Sequence, residues 1–144
     1  MHTQVESYMN PNELIDERCF EIGQIYYIKD SLIDMPNTDR LINGGRKIHE
    51  GRMVVIAHNN DENHNKMFPV ITVAPLSHRI DLKRPFDLPV NINDVDGELK
   101  YDSLIMMYLI QPVCKVDLER CVGVLKEPKT EEMLAIQIEM LGIE

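Results

Sequence analysis

The side chains able to do chemistry in this chain exclude several reaction types by their spacing before they suggest one. His49, His58, His64 and His78 fall in turn-forming stretches without an H-E-x-x-H pattern, and His2 is terminal, so no metalloprotease helix is present. Cys19, Cys114 and Cys121 are odd in number and share no C-x-x-C spacing, which reads as reduced, buried thiols and not as a disulfide frame or zinc site. Asp94 and Asp96 lack the other positions of a calcium loop. Gly44-Gly45 runs into Arg46-Lys47 and then toward a strand, whereas a nucleotide-phosphate loop would feed a helix. The expectation is a site with neither metal nor cofactor.

What remains is a set of cations and hydroxyls. Arg46, Lys47, Arg52, Arg79, Lys83 and Arg84 all fall in the middle of a chain that carries 24 acidic against 15 basic residues, a formal charge of -9. Averaged over the surface such a field repels phosphate, which argues against non-specific DNA wrapping, and any nucleic acid must meet a local basic patch. An arginine suits that task, because its planar fork offers two parallel donors to phosphoryl oxygens and stays charged at every working pH. A serine such as Ser77 is no strong base, but its hydroxyl can donate a hydrogen bond.

The elements that must position these groups are short and turn-rich. With 144 residues, 44% apolar and 27% charged, the chain fits one globular domain, and it holds no apolar run long enough for a membrane helix. The first residues show no basic leader before an apolar stretch, so the protein is expected in the cytoplasm. Residues 1–21 read as a partly mobile N-terminal extension with at most a short helix after Pro11, and residues 22–144 as a single barrel domain. Residues 25–28, 52–57 and 68–74 read as strands, the third ended or edged by Pro75. Residues 30–51 form a long loop of the kind that binds ligands or lacks order, and HNNDENHNK (58–66) a polar turn. Two weak extended segments flank Pro85. The most apolar stretch, 103–110, is expected as one central strand; a helical turn can follow over 116–121 and a short strand over 122–125.

After Pro128 the period changes to that of a helix. Met133, Leu134, Ile136, Ile138, Met140, Leu141 and Ile143 cover one broad arc broken by Gln137, with Thr130 placed to cap the start. Short strands followed by one terminal helix give a mainly β fold, a small, strongly bent barrel with a C-terminal amphipathic helix. The gaps between strands are too turn-rich for the helical crossovers of a doubly wound sheet.

The order of several short motifs carries a resemblance. Gly23-Gln24-Ile25-Tyr26, then Gly51-Arg52-Met53-Val54-Val55-Ile56-Ala57-His58-Asn59, Val73-Ala74-Pro75-Leu76-Ser77, Lys83-Arg84-Pro85, Asp102-Ser103-Leu104-Ile105 and Val116-Asp117 follow one another as in the MazF/PemK-like toxins. The chain resembles that family over about residues 22–125, and the final helix has its counterpart. The resemblance implies an SH3-like barrel, a homodimer, a cognate antitoxin, and an endoribonuclease that cuts single-stranded RNA without metal. It places the residues linked to cleavage on Arg52 and Ser77. His78, with Arg46, Lys47, Arg79, Lys83 and Arg84, would supply the RNA-binding field.

Cleavage by the 2′-hydroxyl needs a proton removed from that oxygen, charge stabilised at phosphorus and a proton for the departing 5′-oxygen, and histidines titrate in the useful range. The chain departs from the family pattern in three places. Met53 replaces a proline, Ser77 stands where threonine is more frequent, and Leu109 and Ile110 occupy the place of a glutamine and an arginine, with Gln111 the nearest substitute and about three residues inserted before Asp117. Loss of that polar pair also fits a non-catalytic barrel of the same family that binds RNA or a protein partner.

Overall fold

The computed structural model describes residues 11–35 and 50–143. Within them lie strands β1 (Gln24–Lys29), β2 (Gly51–Ile56), β3 (Val70–Ser77), β4 (Asp87–Val90), β5 (Val95–Gly97), β6 (Ser103–Met106), β7 (Gln111–Cys114) and β8 (Cys121–Leu125). They form a strongly bent, nearly closed antiparallel barrel of order β4-β6-β3-β2-β1-β8-β5, with β7 also on β3. A short helix α1 (Asn60–His64) follows β2, and α2 (Glu127–Met140) follows β8. The expected mainly β barrel with a C-terminal helix is the observed fold.

The apolar runs are continuous because the central strands are covered on both sides. Ile25, Val55, Ala74 and Leu76 turn toward one cluster, completed by Val90, Ile105, Val122 and Met133. Their sequence neighbours Tyr26, Val54, Ile56 and Val73 turn toward a second cluster with Phe20, Ile33, Val113 and Leu118. Phe20 is fully buried, and Arg18 donates to the Glu119 and Lys115 carbonyls, so the lead-in before β1 is packed onto the barrel. Only a 3-10 turn, Pro11–Leu14, follows Pro11.

Two departures from the sequence reading share one cause. Strand β3 does not end at Pro75 but runs to Ser77. The Ala57 N–H donates to the Thr72 carbonyl, so even-numbered residues of β3 present their backbone to β2 and odd-numbered ones to the far edge. On that edge β7 pairs with residues 70–73 and β6 with 76–77, and Pro75, which has no N–H, sits between them. The apolar stretch 103–110 is accordingly two strands. Leu76 faces Ile105 and Val73 faces Gln111, so three steps along β3 match six along its partners. The surplus is taken up by the 3-10 turn Met107–Leu109, whose Met107 is fully buried.

At the other end of the sheet, β5 and β8 approach so closely that a Cβ on Gly97 (φ 150) would lie 2.4 Å from the Gly123 Cα. A side chain cannot be accommodated there.

The polar turn after β2 contains α1, and a buried cation holds it. Lys115, 1% exposed, donates from Nζ to the carbonyls of Glu62 (2.7 Å), Asn63 (3.3 Å) and Asn65 (2.9 Å), closing the carboxyl end of that helix. Burial lowers the Lys115 pKa below its usual value. The turn expected over 116–121 is the 3-10 segment Lys115–Asp117, which aims this lysine.

Helix α2 begins earlier than expected, with Lys126 as N-cap and Pro128 in the first turn, while the Thr130 hydroxyl donates back to the Lys126 carbonyl and caps nothing. Its apolar arc divides. Met133 is buried and Ile136 and Met140 pack on the barrel, but Leu134, Ile138 and Leu141 are exposed, as is Ile143 beyond them. Two of the three cysteines expected to be buried, Cys19 and Cys121, are also exposed.

Candidate active site

Arg52 is the second residue of β2, opposite Ile28 of β1, and its side chain is 11% exposed. Its Nε donates to Asp30 Oδ1 at 2.9 Å and its Nη1 to the Leu76 carbonyl at 3.4 Å. Asp30 follows β1 directly and is itself buried, so the pair fixes the guanidinium plane. A buried ion pair of this kind contributes orientation more than net stability. Nη2 makes no hydrogen bond among the described residues.

Ser77 closes β3. The last β2–β3 rung is Val54 with Pro75, and the same count carried two residues further sets Arg52 against Ser77. There β3 has turned to β6, pairing Ser77 with Leu104. The half-buried Ser77 Oγ accepts the Arg79 N–H at 3.2 Å, leaving its own proton to donate.

A cavity of about 200 Å³ opens beside Arg52, and Tyr27, His78, Glu98, Lys100 and Tyr101 line it with that arginine. The His78 and Tyr101 rings lie 6.0 Å apart at 38°, with Tyr101 66% exposed. On the rim the Arg120 guanidinium stands 4.6 Å from the Tyr27 ring and pairs with Glu98 at 3.2 Å. Two cations, an imidazole and a carboxylate thus converge on a depression with exposed aromatic faces. Such a set can hold a phosphate, stack a base and move a proton.

The family model for the PemK-like, MazF-like toxin of type II toxin-antitoxin systems matches residues 35–140. The chain belongs to this family. Among solved structures, the Mycobacterium tuberculosis toxin MazF-mt6 is similar at 16% identity with a TM-score of 0.61, covering 84% of this chain and 98% of that one. A mycobacterial endoribonuclease in complex with its cognate antitoxin aligns at 13% identity and 0.59, covering 88% and 96%. The MazE-MazF structure from Deinococcus radiodurans aligns at 11% and 0.59, covering 88% and 99%. A search of curated proteins gives no match. At these identities the structures speak for the fold.

In this MazF-like chain the residues singled out from sequence are divided by the fold. Arg52 and His78 line the cavity, whereas Ser77, at the end of β3 and next to His78 in sequence, does not. Arg79, Lys83 and Arg84 lie in the β3–β4 connection and do not line the cavity. Arg79 forms a two-pronged pair with Asp81, at 3.1 and 3.0 Å, and Arg84 donates to the Tyr108 hydroxyl. Arg46, Lys47, His49 and the Gly44-Gly45 pair lie outside the described residues, as do residues 1–10 and most of the 30–51 loop.

Glu98, Lys100 and Tyr101 were not foreseen. They belong to the turn-forming stretch 93–102, but Leu99 between them is buried in the core and fixes the loop against the barrel. An apolar residue flanked by charges at period two is the available signal.

The Arg84 backbone also serves β4. Its N–H donates to Asp87 Oδ2 at 2.9 Å, while the buried Asp87 Oδ1 finds no hydrogen-bond partner among the described residues. Burial holds the Asp87 carboxyl above its usual pKa of 3.8. A raised carboxyl pKa favours the fold when protonated, so this contribution is complete below pH 3.8 and lost as pH rises through the folded value. Asp87→Asn should therefore be more stable than wild type at neutral pH, with the gain shrinking on acidification toward 3.8. Urea melts of both proteins at several pH values check this. A difference independent of pH would remove Asp87 as its source.

Proposed function

We propose that this chain is a sequence-selective, metal-independent endoribonuclease toxin, acting in the cytoplasm on single-stranded RNA and neutralised by an antitoxin. The observation that carries the reading is Arg52, held by buried Asp30 and lining a cavity together with Lys100, His78 and Tyr101. In the proposed reaction the 2′-oxygen attacks the adjacent phosphorus, the P–O5′ bond breaks, and the products are a 2′,3′-cyclic phosphate and a 5′-hydroxyl. Arg52 donates to the phosphoryl oxygens as their charge grows, and Lys100 adds to the local positive field. His78 and Glu98 are the cavity groups able to take the 2′ proton and return one to the 5′-oxygen. Ser77 orients the phosphate with its free O–H, and Tyr101 with His78 offers a stacking face to a base.

Long single-stranded RNA incubated with the protein in excess EDTA, followed by mapping of the ends, tests the reading. Discrete cuts with cyclic-phosphate and 5′-hydroxyl termini support it. Loss of all activity in EDTA would remove the metal-free route.

A second reading, a non-catalytic barrel that binds RNA or a protein, has one observation in its favour. Ile110 packs against the core, and Gln111 is tied to the backbone of Asp34 through both its side-chain atoms, at 2.8 and 3.0 Å. Gln111 therefore does not replace the missing polar pair. Absence of cleavage across varied RNAs would favour this reading.

The reading includes a homodimer, supported by the exposed Leu134, Ile138 and Leu141 row, since such a face on a lone domain is costly in water. Sedimentation at micromolar concentration should give twice the chain mass of 16.7 kDa. A single species at the chain mass would count against pairing. It also includes an acidic antitoxin segment that competes with phosphate for Arg52. Expression of the chain alone should halt growth of a bacterial host, and normal growth with soluble protein present would argue against a toxin.

A further inference from the structure

Away from the cavity, three different donors meet where the lead-in passes α1. Cys19 and Glu21 flank fully buried Phe20, and since alternate residues of an extended segment share a face, both turn away from the core. His64 is the last residue of α1. The Cys19 Sγ, a Glu21 carboxylate oxygen and a His64 ring nitrogen all lie within 4.8 Å of one another.

We propose that Cys19, Glu21 and His64 form a three-ligand site for a zinc-like divalent cation, with a fourth position open to water or an external donor. The His64 Nε2–Glu21 Oε1 distance is 3.0 Å. A tetrahedral ion with bonds of about 2.0 Å spaces two such ligands at roughly 3.3 Å, so this pair already stands at ligand separation. The donor set selects the ion's class: thiolate with imidazole suits zinc and its neighbours, whereas magnesium and calcium take oxygen alone. A thiolate and a carboxylate together carry the two negative charges that a divalent cation balances. The nearby cation, Lys66, is engaged by Glu17 at 2.9 Å.

Both walls of the site are fastened independently of a metal. The Ile22 N–H donates to Asn60 Oδ1 at 2.7 Å, joining the lead-in to α1, and Lys115 anchors the end of α1 that bears His64. A metal there would fasten the lead-in to α1 a second time. This assignment is independent of the RNA reading and uses none of its residues.

The test is titration of untagged, reduced, metal-stripped protein with cobalt chloride, followed by zinc chloride. The expected result is a near-ultraviolet thiolate-to-cobalt band with the intense visible bands of a tetrahedral ion, both erased by zinc. Cys19→Ser should abolish the near-ultraviolet band, and Glu21→Gln and His64→Ala should weaken cobalt binding. Cys114→Ser and Cys121→Ser should leave the spectrum unchanged. These ligands are exposed or half-exposed, so the variants are expected to fold, and circular dichroism verifies it. No thiolate band in wild type, its persistence in Cys19→Ser, or its loss in either of the other cysteine variants would overturn the site.

Discussion

Arg52→Ala is expected to slow RNA cleavage by roughly a hundredfold or more, equivalent to about 3 kcal/mol of lost transition-state stabilisation. Arg52→Lys keeps the charge, but it loses the fork that reaches Asp30 and a phosphoryl oxygen together, so it should recover only a small part of the rate. Ser77→Ala should cost less than Arg52→Ala, since one hydrogen bond is lost and not a cation.

The alanine variant also takes the Arg52 partner from Asp30, 2% exposed, so part of any loss can be one of stability. The rate comparison therefore needs the Asp30→Asn/Arg52→Ala double variant, which removes that carboxylate charge as well. If the folded double variant cuts RNA as fast as Asp30→Asn alone, Arg52 has no part in the chemistry. If it is slow while circular dichroism shows a native barrel, the loss belongs to the missing guanidinium.

The second large effect is on stability. Lys115→Ala removes three hydrogen bonds to backbone carbonyls and leaves space inside the fold. The expected loss is about 3–5 kcal/mol, the range for truncating a large buried side chain and orphaning its partners. With a urea slope of roughly 1–3 kcal/mol per molar, the midpoint should fall by on the order of 2 M. Lys115→Met retains much of the stem's packing, so its smaller loss isolates the part due to the donors. An alanine variant within about 0.5 kcal/mol of wild type would show that the lysine does not hold α1 in solution.

Residue type revealed β1, β2 and most of β3 because each holds a short run of β-branched or aromatic residues that is mostly buried. It revealed α2 because the spacing changes after Pro128. It did not reveal the corner at Met107–Leu109, since a buried turn has the same apolar composition as the strands on either side. Lys115 was also hidden: a lone lysine after a short apolar run looks solvated, and only the fold shows the carbonyls of α1 around it. The site was legible in part. Arg52 and Ser77 came through the family resemblance and His78 through its neighbourhood, but Asp30 is 22 residues from Arg52 and looked like an ordinary turn carboxylate. Glu98 and Lys100 reach the cavity because Leu99 anchors their loop, a long-range effect that local pattern does not record.

The pairing of β1 with β8 has a consequence for the order in which the protein is made. Strand β1 rests one edge on β2 and the other on β8, whose residues are translated long after those of β1. While the ribosome is still adding residues before Cys121, the second edge of β1 has no strand to receive it. Tyr27, which lines the cavity, then lacks the neighbouring Arg120 as well. Ribosomes add about 5–20 residues per second, so an unfinished barrel persists for seconds on each nascent chain. The cavity beside Arg52 is therefore completed only after β8 has been made, and a nascent chain that stops short of β8 lacks the finished cavity wall.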